Sequence, residues 1–366
     1  MTTFWLHPNI MPYLWPNGSA PPAGSASIRY QGTAETAAAF LTAEWGAAVS
    51  RCDVIGLFVD ACRDRSTGGS APPNGTGTDG FLTGLVAMAN AYDKDIAIEA
   101  AGPIGNAAVN HVNGGTTDCS TGALSATYDL DTSIANLITL GAAPGSLWIG
   151  MDHPLQRVID GLGQTLAQAI DQVVEYMQTI HTTYPDIKIG LVDQHGNWVL
   201  GLGGGVGAYF TDLMTDINAA QERLAFLNVD APYEYVNGLG HPNLSGETTD
   251  WFNLIKLMQD SAVSYGVPFG LVVNSAFGGG TVTEGAPDPT VYHTGTTTPG
   301  SNAIFQRETL KYTEQARRRI AAGRLAALDH LIVESWFYYP RDLAPDTTAY
   351  TFADTFIKAR AVFLAT

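Results

Sequence analysis

The chain has 366 residues, only 14% of them charged, and 18 Lys+Arg face 35 Asp+Glu for a formal net charge of −17. Ordinary soluble domains carry about 25% charged residues, so the acidity reflects scarce cations, and a phosphate-neutralising surface for nucleic acid or an anionic membrane is excluded. No run approaches the roughly 18 apolar residues of a membrane-spanning helix, while 45% hydrophobic residues with 40 glycines and 19 prolines describe a large core joined by many turns.

Residues 1–24 lack the basic-then-apolar order of a signal peptide and read as an N-terminal extension packed on the domain that follows, residues 25–366. From there apolar β-type runs alternate with amphipathic helical stretches. A weak strand, Ala26–Tyr30, precedes a helix over Thr36–Ser50, and Asp53–Asp60 precedes one over Gly80–Tyr92. Asp95–Ala100 is followed by Thr132–Leu140. Ser146–Asp152 is followed by Leu162, Leu166, Ile170, Val173, Met177 and Ile180, whose steps of three and four mark a helix buried on one face. Asp186–Asp193, Ala225–Asp230, Phe269–Asn274 and His330–Trp336 precede helices over Tyr209–Arg223, Thr249–Tyr265, Ala303–Ala327 and Thr351–Val362. The compact basic run Arg317-Arg318-Arg319 falls inside one of these helices and reads as a solvated face. Eight strand–helix units in this order predict an α/β fold, a single (β/α)8 TIM barrel with long loops at its C-terminal face.

The cysteines are too few for a disulfide scaffold. Cys52 and Cys62 flank one strand, roughly 30 Å apart at about 3.3 Å per residue, and do not pair. Cys62 and Cys119 both follow strands, which leaves a bridge or two buried thiols as alternatives.

The long connections, residues 61–79, 101–131, 194–207, 231–248 and 275–302, all follow strands, whereas returns such as Thr182–Pro185 and Gly266–Pro268 are short. Loops after strands build the face that carries the active site in barrel enzymes. Side chains alternate along a strand, so placing the aliphatic set against the helices turns Asp60, Glu99, Asp152, Asp230 and Glu334 inward. On Asp186–Asp193 the same parity points Gln194 inward and leaves Asp193 in doubt. Acids held this close cannot all ionise cheaply, which suits proton transfer. Trp198, Tyr233, Tyr235, Phe277, Trp336 and Tyr338 crowd the same rim, where flat rings would stack on the C–H faces of sugars.

With Trp336 two residues after Glu334, the chain resembles the barrel glycoside hydrolases, in which a Trp near the end of the eighth strand floors a sugar subsite. The layout is similar to the α-galactosidase-like clan in placing Asp on strands four and six, here Asp152 and Asp230, although Gly150 stands where that clan carries Lys. The larger Glu/Glu clan would put its acids where this chain has Asp152 and Asn274. The resemblance implies a glycosidase acting on a poly- or oligosaccharide, secreted or periplasmic, with the cytoplasm as the alternative. Asp152, Asp230, Glu99 and Glu334 are the expected catalytic carboxylates. Asp60, His153, Gln194, Trp198, Tyr233, Asn274, Trp336 and Tyr338 are the expected substrate-binding residues. An acidic mouth should repel polyanions, so a neutral or cationic sugar is expected.

Two other functions compete. A metal-dependent barrel hydrolase would draw on Asp152-His153, Asp193 with His195, His241 and His293, but an HxH pair on the first strand and an HExxH motif are both missing. A catalytically silent carbohydrate-binding barrel would keep the rings and lack turnover. No cofactor or metal is expected, a structural calcium near Glu284 and Asp288 excepted. The glycine run Gly201–Gly207 lacks a GK[ST] ending and reads as a rim loop. Residues 278–302 read as a lid or a static loop, and Arg341 and Asp342 as substrate-orienting or capping residues.

Overall fold

The computed structural model describes residues 1–8, 45–59, 62, 78–100, 104–110, 116–193, 205–237, 251–275, 301–335, 340 and 345–365. Its strands are β1 (Thr3–His7), β2 (Val54–Phe58), β3 (Asp95–Ala100), β4 (Asn106–Asn110), β5 (Thr116–Cys119), β6 (Leu147–Asp152), β7 (Lys188–Asp193), β8 (Leu227–Asp230), β9 (Phe269–Val273) and β10 (His330–Glu334). Eight of them close a parallel barrel in the order β1-β10-β9-β8-β7-β6-β3-β2, while β4 and β5 form a separate antiparallel hairpin in the connection after β3. The expected (β/α)8 barrel is therefore present, with one strand reassigned.

That strand is the first. Thr3–His7 lies inside the segment read as an extension, yet it pairs with β10 from Thr3↔His330 to His7↔Glu334 and with β2 at Trp5↔Val54 and Leu6↔Ile55. Ala26–Tyr30, the expected first strand, lies outside the described residues, and the ring closes without it. The N-terminal residues thus contribute a barrel stave instead of packing on a finished barrel.

Helices Thr78–Ala91, Leu166–Thr183, Gly205–Ala219, Trp251–Ser264, Asn302–Ala321 and Phe352–Leu364 fall where the period of three and four placed them. The stretch expected over 132–140 begins earlier, as helix Gly122–Asp129, a π-helical turn Leu130–Ile134 and helix Ala135–Thr139. Helix Leu166–Thr183 opens on a capping box, with the Thr165 hydroxyl accepting from the Gln168 backbone N–H. Among the described residues no helix is long and apolar enough to cross a membrane.

Strand alternation sorts the interior into two apolar layers. Ile55, Leu57, Ile96, Ile98, Ile149, Met151, Leu227, Val229, Leu331 and Val333 belong to the layer between sheet and helices. Trp5, Val54, Ala97, Val192, Phe226, Val272 and Ile332 form a second cluster inside the barrel. There Trp5, Trp148, Phe226 and His330 make a four-ring plug, with Trp5 edge-on to Trp148 and Phe226 at centroid distances of 5.3 and 5.4 Å. Toward the N-terminal ends of the strands, Asp95 accepts from Lys188 Nζ at 2.8 Å and from Trp148 Nε1 at 2.6 Å.

Glycines on neighbouring strands leave the room these side chains occupy. A Cβ at Gly270 would lie 2.1 Å from Asn228 Oδ1 and 2.8 Å from His330 Cβ, and one at Gly56 would lie 2.4 Å from the His7 ring. Gly270→Ala is therefore expected to cost about 1–3 kcal/mol through overpacking, read as a lower urea midpoint at unchanged slope. A midpoint equal to wild type would show that Asn228 and His330 can move aside.

Candidate functional site

Parity places Glu99, Asp152, Asp230 and Glu334 inward at the C-terminal ends of β3, β6, β8 and β10, because the residues before them, Ile98, Met151, Val229 and Val333, are committed to the outer layer. His7 and Asn274 reach the same opening from the ends of β1 and β9. Asp193 takes the other parity: it is buried, 3.4 Å from the Tyr209 hydroxyl, which donates to it from the helix layer.

The four carboxylates sit in different environments. Glu99 is driven well above the usual carboxylate range, first by burial and then by Glu334, Asp152 and Asp230. Asp230 is also driven well up, by burial and by Glu334 and Asp152, against which the Asn274 amide donating at 3.3 Å is a weak counterweight. Asp152 goes the other way. Burial would raise it, but the His153 ring and the Arg157 guanidinium, each bonded to one of its oxygens, hold it down at about 2. Arg157 Nε also donates to the Asp152 carbonyl at 3.0 Å.

The Asp152–His153 contact has a backbone cause. Successive residues of an extended strand point to opposite faces, yet these two side chains meet because His153 leaves β geometry in the left-handed region, at φ 47° and ψ 43°. Pro154 then occupies the first turn of helix Pro154–Leu162, where its missing N–H loses nothing. A non-glycine residue held at positive φ is a strained arrangement typical of functional sites. Burial lowers the affinity of the His153 ring for a proton, but Asp152 outweighs it and the net direction is upward.

His7 is the group that sequence reasoning missed. Its ring packs against Phe58 at 4.7 Å between centroids, over the space that Gly56 leaves. Its Nδ1 lies 3.2 Å from Glu334 Oε2 and 3.9 Å from Glu99 Oε2. Below, His7, Glu99, Glu334, Gly150 and Ile332 help line a cavity of about 10 Å3, the space of one water. Four buried atoms around the opening, His7 Nε2, His153 Nε2, Asn274 Oδ1 and Glu334 Oε1, have no hydrogen-bond partner among the described residues. Such atoms are costly to leave unmade and present donors and acceptors to a polar ligand.

Of the expected substrate-binding residues, His153 and Asn274 stand at this opening. The Tyr233 ring is buried in the outer apolar layer, and its backbone N–H donates to the Asn274 carbonyl at 3.2 Å. Asp60, Gln194, Trp198, Trp336 and Tyr338 lie outside the described residues, as do His195, His241, His293, Glu284, Asp288, Arg341 and Asp342. Cys52 is a buried thiol pushed up to about 12 by desolvation, and Cys62 and Cys119 are buried as well.

No protein-family model and no curated protein matches the chain. Several solved structures align with it at a distance. A GH10 structure from Paenibacillus barcinonensis aligns over 91% of this chain and 83% of that one, with a TM-score of 0.49 and 8% identity. An intracellular xylanase from Thermoanaerobacterium saccharolyticum aligns over 83% and 88%, with a TM-score of 0.43 and 11% identity. A malate synthase from Haloferax volcanii aligns over 100% and 70%, with a TM-score of 0.45 and 10% identity. The barrel itself rests on the strand pairing described above, and a fold does not by itself assign a function.

Proposed function

We propose that this chain is a glycoside hydrolase that cleaves a neutral or cationic poly- or oligosaccharide by carboxylate acid–base catalysis at the barrel mouth. The observation that carries the reading is the opposite displacement of two inward carboxylates two strands apart, Asp230 upward and Asp152 down to about 2. Glycosidic cleavage needs one protonated carboxyl to release the leaving oxygen and one carboxylate as nucleophile or base, and environments that push two acids apart assign those roles. Asp230 is the acid, oriented by Asn274. Asp152 is the ionised partner, oriented by His153 and Arg157. Glu99 and Glu334 line the same opening, and the net charge of −17 disfavours polyanionic glycans. The unpartnered atoms of His153 and Asn274 suit sugar hydroxyls.

Neutral and amino-sugar glycans incubated with the purified chain should include at least one that is cleaved, and cleavage should vanish in Asp152→Asn and Asp230→Asn. A folded wild-type protein that cleaves none of them would count against the reading. Arg157→Met removes one of the groups holding Asp152 down, so the acid limb of the kcat/KM profile should move to higher pH. An unmoved limb would remove Asp152 from the ionised role.

A further inference from the structure

The geometry points to a divalent transition-metal site at the barrel mouth, formed by His7 Nδ1, Glu99 and Glu334 and suited to manganese(II) or zinc(II). It does not depend on the glycosidase reading. These three residues come from β1, β3 and β10, and their ligand atoms all lie within 4.8 Å of one another. Metal–nitrogen and metal–oxygen bonds of about 2.0–2.2 Å put two ligands of one ion roughly 3.0 Å apart when cis and about 4.2 Å apart when trans. The His7 Nδ1 separations of 3.2 and 3.9 Å from the two carboxylates fall inside that span.

Charge favours the same ion. Two carboxylates converge here on an imidazole that carries at most one positive charge, whereas a divalent ion with neutral His7 balances both. One imidazole with two carboxylates is a ligand set for borderline-to-hard divalent ions. Independently, Glu334 is only 1% exposed and its Oε1 has no hydrogen-bond partner, and Glu334 helps line the cavity of about 10 Å3 that His7 and Glu99 share. Packing against Phe58 holds the His7 ring in place, as a preorganised ligand requires. The ion's remaining positions would be open to water or to a ligand hydroxyl.

The test is titration of the EDTA-treated full chain with manganese(II) and with zinc(II), followed by calorimetry and, for manganese, by loss of the free-ion EPR signal. One ion per chain is expected, with binding at least about 10-fold weaker in Glu334→Gln and His7→Gln, since losing a ligand should weaken binding no less than losing an outer-shell partner does. His181→Gln, which alters a His–Glu pair with Glu222 elsewhere in the fold, should bind as wild type. Glu99→Gln, a near-isosteric change, keeps the test decisive if His7→Gln fails to fold by circular dichroism. No binding of either ion at millimolar concentration, or wild-type affinity in folded Glu334→Gln and Glu99→Gln, overturns the site. Since no glycan is involved, either result stands apart from turnover.

Discussion

Asp230→Asn should lose about 10²–10⁴-fold in kcat/KM on an unactivated glycan and at the same time raise the melting temperature at neutral pH. The first effect follows from the acid role proposed for Asp230, protonation of the leaving oxygen. It should shrink on an aryl glycoside whose leaving group departs without a proton. The second follows from linkage. Asp230 has a folded pKa raised above its unfolded value near 3.8. As pH rises above about 4, the unfolded chain releases this proton while the folded chain keeps it, so stability falls with pH until the folded pKa is passed. An amide has no proton to release, and it can still accept from the Asn274 side chain. The variant's stability should therefore be flatter above pH 4. A variant that loses activity and also melts earlier would show damage to the fold in place of loss of an acid. One that keeps full turnover on the unactivated substrate would end the assignment. Asp152 contributes with the opposite sign: held down at about 2, it stabilises the fold above about pH 4 and loses that contribution as pH falls toward 2.

Trp5→Ala should cost about 3–5 kcal/mol, a large part of the roughly 5–15 kcal/mol that holds a domain folded. Trp5 is only 3% exposed, and its ring meets Trp148, Phe226 and His330 inside the barrel. No neighbour can fill the space, because the facing positions are themselves large rings. Removing residues 1–7 altogether should be worse. It would strip β10 of a partner along five residues and β2 of one along two, opening the ring and leaving two sheet edges with unpaired backbone groups. Urea unfolding measures the first effect, and soluble yield with circular dichroism the second. A loss below about 1 kcal/mol for Trp5→Ala would mean that β1 is an accessory to an otherwise stable barrel.

Seven of the eight staves were legible because each is a run of aliphatic residues flanked by turns and followed by a helical period. β1 was not. Thr-Phe-Trp-Leu-His is five residues long, stops at Pro8, and puts its bulk inside the barrel as Trp5, where outward aliphatic residues are the usual signal. His7 was hidden with it. The useful clue was arithmetic: eight helices needed eight strands, and Ala26–Tyr30 was the weakest of the set. Parity served the site better: of the five carboxylates it turns inward, Glu99, Asp152, Asp230 and Glu334 meet at the opening and Asp60 lies outside the described residues, while Asp193 is left in doubt. Parity is silent on ionisation, however. The separation of Asp152 from Asp230 depends on the left-handed backbone at His153 and on Arg157 one turn into the next helix, neither of which a strand pattern contains.

Among the described residues, the plug of Trp5, Trp148, Phe226 and His330 closes the barrel interior between the carboxylates and the N-terminal ends of the strands. His330, drawn down to about 4 by its burial, stays neutral there as part of the plug. On the proposed glycosidase reading, a ligand reaches the carboxylates from the C-terminal side of the strands, and the proton given to a leaving group is replenished from that same side. A polymer chain therefore cannot thread through the barrel interior.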